Sequence, residues 1–322
     1  MPAEYFSDRE NGPRARTEEV INQAVWDGVA ALVESLVDDG AFGYKFPATC
    51  PDGPGVVGTQ LDFLRKVLLA ELPSLQCVLK VEPLEIEPSI RCLMIAKMLP
   101  PTLAILDLVE FTHAHIGKPI QGSHHSYFNH HHLTFDRAAG QADFTQRINR
   151  LFARNGLAYE LSAEGVVTRL AAPVLREALS AAEFQTGETT LDALLSSARA
   201  KCLDPAPRVR REALEKLWDA WERVKTLEPG SDKKAQAKAL LDLAVGEPGF
   251  REVLETEAQA LTEVGNGFMI RHTETNQTPI ERDSHVDYLF HRLFSLIQLL
   301  LKERIRRGVE VRSEEHTSEL QS

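Results

Sequence analysis

The feature that most constrains the fold is an apolar stripe close to the C-terminal end of the chain. Val286, Leu289, Phe290, Leu293, Phe294, Ile297, Leu300 and Leu301 recur at three- and four-residue spacing. That spacing aligns them on one face of a long α-helix, which must bury the face against neighbours. A second stripe, Val209, Ala213, Leu214, Leu217, Trp218, Trp221 and Val224, has Glu212, Glu215, Lys216, Asp219, Glu222 and Arg223 on its opposite side. Its two tryptophans read as core. From Thr189 onward the pattern is purely helical. Thr190 is the expected cap of the first helix, Asp204-Pro205 opens the next, and Ser231 or Asp232 caps a third. Gly246 and Pro248 precede a fourth, which carries Phe250, Val253, Leu254, Ala258, Leu261 and Val264. Long helices with short links make a bundle.

A polar insert, Arg271-His272-Thr273-Glu274-Thr275-Asn276, interrupts the apolar pattern between Glu263 and Leu301. Arg271 and Glu274 are three apart and share a face if the preceding helix runs through them. An Arg, a His and a carboxylate at a helix junction suit phosphate binding and proton transfer. The alternative is an Arg-Glu pair closing a helix end, with His272 solvated.

The composition is that of a globular protein of two or three domains, 43% hydrophobic and 26% charged over 322 residues. No apolar run approaches the roughly 20 residues that span a bilayer, and the first residues are polar. The expectation is a cytoplasmic protein with no membrane partner. A formal net charge of -11 argues against coating nucleic acid, although Arg208, Arg210, Arg211, Lys302, Arg304, Arg306 and Arg307 offer a local basic groove. Cys50, Cys77, Cys92 and Cys202 are widely spaced with no Cys-x-x-Cys pair, so they read as scattered reduced thiols. No Ser-His-Asp arrangement, phosphate-cradling loop or GxGxxG fingerprint is found, and no cofactor is expected.

Nearer the N-terminus, Val20, Ile21, Val25, Val29, Leu32, Val33 and Leu36 predict a helix from Glu18 to Asp38, with Thr17 as cap and Gly40 as stop. GAFGYKFPATCPDGPGVVGT reads as a long ordered loop. Helices are predicted over Gln60 to Leu72, Pro88 to Met98, Pro101 to His113 and Asp143 to Asn155, with Ser74 to Glu82 either strand or irregular. Seven of the eleven histidines, His113, His115, His124, His125, His130, His131 and His132, fall in one stretch. Imidazoles at this density suit a metal. Yet the stretch has no His-x-x-x-His pair and no acidic residue, so the reading taken is a packed polar loop with Tyr127, Phe128 and Phe135, and no metal. Leu157 to Leu161 and Val166 to Leu170 form a hairpin around Ser162-Ala163-Glu164-Gly165. With the helices beside it, from Asp143 to Asn155 and Pro173 to Ala182, it is winged-helix-like.

The blocks YFSDRENGPRART, VWDGVAALVESLVDDGAFG, FPATCPDGPGVVGT, HHSYFNHHHLTFD and FTQRINRLFARNGLAYEL resemble the N-terminal domain of AbiJ-type abortive-infection proteins. The C-terminal bundle resembles a HEPN domain, a helical fold that such proteins use as a ribonuclease with an Arg-x(4–6)-His motif at a dimer interface. This sequence departs from that spacing, because His272 follows Arg271 directly and His285 lies too far from it. The resemblance implies a phage-defence endoribonuclease that needs no metal, with Arg271, His272 and Glu274 as site residues. It also implies an RNA substrate, a homodimer and a neutralising or sensing partner protein. Two other readings stand beside it: a non-catalytic dimerising scaffold, and a DNA-binding regulator working through residues 143–182. The expected architecture is mainly α. It comprises a helical N-terminal domain (1–156), a small β-hairpin, winged-helix-like connector (157–188) and a HEPN-like bundle (189–311). The last eleven residues, RSEEHTSELQS (312–322), resemble a translated sequencing-library adapter and are expected to carry no function.

Overall fold

In the computed structural model, residues 5–12, 14–75, 79–83, 91–95, 98–171, 179, 182, 184–270 and 277–319 are described. The protein is mainly helical with a small antiparallel sheet, in two compact units, residues 1–170 and 171–322.

The N-terminal unit begins with the short α1 (Phe6–Asn11) and α2 (Gln23–Asp38). The cap of α2 is Asn22, not Thr17, because the Asn22 side chain accepts a hydrogen bond from the Val25 amide at 3.1 Å. Gly40 ends the segment in the left-handed region, φ 77°. The Gly- and Pro-rich stretch expected to be a loop instead contains a 3₁₀ turn (Ala41–Tyr44), β1 (Pro47–Thr49) and β2 (Val56–Thr59). α3 (Leu61–Glu71) falls where the apolar period places it. From residue 79 the ambiguous segment is strand: β3 (Leu79–Pro83) pairs with β4 (Arg91–Ile95). The helix predicted over Pro88 to Met98 is therefore incorrect across residues 91–95, and residues 88–90 and 96–97 lie outside the described residues. Cys92-Leu93-Met94-Ile95 is a short unbroken apolar run, whose periodicity does not separate strand from helix.

α4 (Thr102–His115) is buried on nearly every side, from Ala104 through His113. The histidine-rich segment is a β-hairpin rather than a loop, β5 (Lys118–His125) and β6 (His130–Asp136), and the sheet order is β1-β2-β6-β5. α5 (Arg137–Arg154) starts earlier than its apolar pattern, because Asp136 accepts the Ala139 amide at 2.9 Å. It crosses close to β5. A Cβ on Gly140 would lie 2.4 Å from the Lys118 nitrogen, so glycine is the residue that permits this approach. The expected hairpin appears as β7 (Tyr159–Leu161) and β8 (Val167–Arg169). Trp26, Phe42, Leu64, Phe144, Ile148 and Phe152 fill the core of this unit.

The helix predicted over Pro173 to Ala182 lies outside the described residues, apart from 179 and 182. The C-terminal unit contains α6 (Thr189–Cys202), α7 (Pro207–Val224), α8 (Lys233–Ala244), α9 (Pro248–Gly267) and α10 (Asp283–Glu319). Glu188, not Thr190, caps α6, accepting the Thr190 and Leu191 amides. Asp232 caps α8 by accepting the Ala235 amide at 2.8 Å. Every residue of the α10 stripe is buried, and Trp218 and Trp221 are 1% exposed within the same cluster.

Two predictions concern stability. A Cβ on Gly265, in α9, would sit 2.1 Å from Trp218 Nε1. Gly265→Ala is expected to destabilise by about 1–3 kcal/mol through overpacking, outweighing the ~1 kcal/mol that alanine gains in a helix. Urea unfolding checks the sign. Glu188 is held at a pKa of about 2 by the Arg223 guanidinium above all, with the α6 amides adding to it. Its contribution is fully present above the ordinary carboxylate range and is lost as pH falls toward about 2. Glu188→Gln should lower Tm at neutral pH, and thermal melts across acidic pH should show the gap closing.

Candidate functional site

Two places gather chemistry-bearing side chains. The first is the junction of α9 and α10. Arg271, His272 and Glu274, the predicted site residues, lie outside the described residues. Their flanks are held firmly. The Met269 amide donates to Thr278 O at 2.9 Å, the Thr278 amide to Gly267 O at 3.0 Å, and Gln277 Nε2 to Asn266 O at 3.1 Å. From α7, Arg211 donates to the Ile280 and Glu281 carbonyls. Arg210, 2% exposed, donates to Pro205 O at 2.9 Å and faces Asp283 at 3.7 Å and Asp287 at 3.9 Å. Arg292 of α10 makes a two-pronged pair with Glu257 of α9, at 2.6 and 2.8 Å. Beside this frame is a cleft of about 540 Å³, lined by Val264, Phe268, Glu281, Arg282, His285 and Tyr288, among others.

The second place is the open end of the four-stranded sheet. His125 pairs with His130 and His124 with His131, with an irregularity between Gln121 and His124. Strand side chains alternate faces, so His125, His130 and His132 share one face while His124 and His131 pair on the other. Across from the first set, the turn from Cys50 to Gly55 closes on itself. The Cys50 amide donates to Gly55 O at 2.7 Å and the Gly53 amide to Cys50 O at 3.2 Å. This aims the buried Cys50 at the histidines, with Sγ 3.3 Å from His125 Nδ1. One donor atom from each of Cys50, His125, His130 and His132 lies within 4.8 Å of all the others, a set able to hold a metal ion.

Each member of the set is positioned by a neighbour. His125 presents Nε2 to Asp52 at 3.4 Å. The Phe128 ring stacks parallel to His130, 5.8 Å between centroids and 5° between planes. His132 lies over Gly55, where a Cβ would come within 2.7 Å of Nδ1. The Nε2 atoms of His130 and His132 are buried and have no hydrogen-bond partner. Desolvation, then the neighbouring His125, His132 and His124, lower the pKa of His130 from the ordinary histidine range. Both effects disfavour the charged ring.

Residues 4–185, more than half of the chain, match the family model described as AbiJ N-terminal domain 4. The chain belongs to this family. No curated protein and no solved structure matches it. The AbiJ-type domain contains the whole Cys50 and histidine cluster, while the α9–α10 junction lies beyond it. No helix among the described residues is long and apolar enough to cross a membrane.

Within the AbiJ-type domain, the arginines available for nucleic acid are largely engaged. Arg169 is 7% exposed and donates to Glu19 at 2.8 Å, Arg147 pairs with Asp143 at 3.6 Å, and Arg150 and Arg154 lie over the Tyr5 ring. In the C-terminal unit, Arg208, Arg304 and Arg306 pair with Glu212, Glu228 and Glu303. The other histidines of the segment have local roles. His113 is 3% exposed beneath Gly165, and burial first, then Arg137, lowers its pKa. His115 Nδ1 is 2.8 Å from Phe111 O, and its ring stacks on Phe111. The sequence did hold a signal for the cluster. Read with a period of two, His124 and His125 and the run His130 to His132 separate into the two faces, and Cys50 sits in a Pro- and Gly-bounded turn.

Proposed function

We propose that this AbiJ-type protein is a phage-defence, abortive-infection effector. In this reading its C-terminal, HEPN-like unit cleaves RNA without needing a metal, and Arg271, His272 and Glu274 carry the chemistry. The observation behind it is the cleft where α9 and α10 meet, whose rim holds Arg282 and His285 next to the tied ends of the polar insert. Membership of the AbiJ family supports the defence role.

The chemistry follows from the residue types. His272 takes the proton of an RNA 2′-hydroxyl, and the oxygen attacks the adjacent phosphorus. The bond to the 5′-oxygen breaks and that oxygen takes a proton from solvent, leaving a cyclic phosphate and a 5′-hydroxyl. Arg271 compensates the charge of the phosphorane. Glu274 orients His272 or pairs with Arg271. Arg282 and His285 offer further contacts for phosphate. A homodimer would place two such sets together. Val253, Phe268, Met269 and Tyr288, exposed apolar or aromatic residues of α9, the junction and α10, are suited to that contact. A neutralising or sensing partner would act through the rest of the chain.

The test uses wild type, Arg271→Ala, His272→Ala and Glu274→Gln with matching melting curves, incubated with total cellular RNA in chelator. Cleavage by wild type should fall about a hundred- to ten-thousand-fold in His272→Ala and comparably in Arg271→Ala, with a smaller loss in Glu274→Gln. Toxicity on induced expression should follow the same order. Equal cleavage by all four removes these residues from the mechanism. An inert but dimeric wild type favours the scaffold reading. Light scattering at micromolar concentration should show a dimer, and a strict monomer overturns the composite site.

A further inference from the structure

We propose that Cys50, His125, His130 and His132 form a structural zinc site that staples the β1–β2 turn to the β5–β6 hairpin. A tetrahedral zinc with one sulfur and three nitrogen ligands sets its donors about 3.3–3.6 Å apart. Cys50 Sγ and His125 Nδ1 are already 3.3 Å apart, and all four donors lie within 4.8 Å of one another. Small side-chain rotations close the rest.

Three further observations point to a cation rather than to a packed polar cluster. The buried Nε2 atoms of His130 and His132 have no hydrogen-bond partner, which is costly for a neutral ring unless something accepts its lone pair or proton. His125 turns Nδ1 to the thiol and Nε2 to the Asp52 carboxylate. That is the orientation in which a second-shell carboxylate fixes the tautomer of a metal-bound histidine. Gly55 leaves room for the His132 ring where any side chain would collide.

Thiolate with imidazole donors selects zinc among the common divalent ions, whereas magnesium and calcium take oxygen ligands. With Cys50 as thiolate, a bound zinc leaves a single positive charge, which Asp52 faces from outside. Four protein ligands leave no open coordination position, so the site is structural rather than catalytic. What it holds together is specific. β2 meets β6 through the pair Val56 and Leu133, and the staple fastens the turn before β2 to the far end of the same hairpin. This inference is independent of the reading of the C-terminal unit.

The experiment measures zinc in the untagged, full-length protein by elemental analysis, then replaces it with cobalt(II). About one zinc per chain is expected, together with visible cobalt bands of tetrahedral intensity and a thiolate charge-transfer band. Cys50→Ser should abolish the charge-transfer band, and His132→Ala should lose the metal. Asp52→Asn should weaken binding about ten- to a hundredfold. His124→Ala and His131→Ala, on the opposite face of the same hairpin, should keep full zinc content and serve as folded controls. Chelator should lower the Tm of wild type but not that of His132→Ala. Substoichiometric zinc with no cobalt spectrum in a folded wild type overturns the site. So does equal zinc loss from the two opposite-face variants, which would mark a generic histidine-rich chelate.

Discussion

Burial of the α10 stripe is the constraint on which the C-terminal unit depends. Eight apolar side chains on one face cannot remain in water, and each is 9% exposed or less in a cluster that also contains Trp218 and Trp221. At about 25 cal/mol per Å² of apolar surface, that face outweighs any local preference of the residues before it. The polar groups then decide where the helix begins. The pairs Arg292–Glu257 and Arg304–Glu228 are partly exposed and contribute little energy each. Arg210 differs, because it is 2% exposed and faces both Asp283 and Asp287. A buried guanidinium left without carboxylates would be strongly unfavourable. It therefore fixes the first turn of α10, and with Arg211 the approach to it.

In the N-terminal unit the corresponding constraint is close backbone approach. Gly140 lets α5 lie against the start of β5, and Gly43 brings the 3₁₀ turn onto Gly58 of β2, where a Cβ would be 2.5 Å from the carbonyl oxygen. These contacts hold the sheet at its base. Asn129, at φ 50°, turns the chain between β5 and β6, a conformation asparagine tolerates better than most residues. The tip of the hairpin then faces the Cys50 turn, and the alternation of the strands decides which histidines meet it.

What was legible in the sequence follows the same physics. The long amphipathic helices α2, α5, α7 and α10 announced themselves by period, and the β7–β8 hairpin by its turn. Caps were less legible, since several nearby residues can accept an amide and packing chooses among them. Asn22 prevailed over Thr17, and Glu188 over Thr190. The four-stranded sheet was missed because β1 and β2 are short, its strands are rich in Gly, Pro and His, and its two hairpins are joined by a pairing across a long separation. β2 and β6 meet through Val56 and Leu133, 77 positions apart. Nothing in a local window reports such a pairing, so a segment with strong turn residues reads as loop. The nearness of Cys50 to the histidines was hidden for the same reason. Spacing rules detect ligands that sit close in sequence, and Cys50 lies 75 residues from its histidine neighbour.

The proposed zinc would also give a use to imidazoles packed this closely. Ring centroids of His125, His130 and His132 are 5.4 to 5.8 Å apart. Protonating all three would place like charges side by side, and desolvation first, then these neighbours, lower the pKa of His130. A proton also occupies the lone pair that would otherwise act as a donor. A single divalent ion uses all three lone pairs at once, and the thiolate and the Asp52 carboxylate supply the opposing charge. The competition between proton and metal is then set by geometry rather than by any one residue.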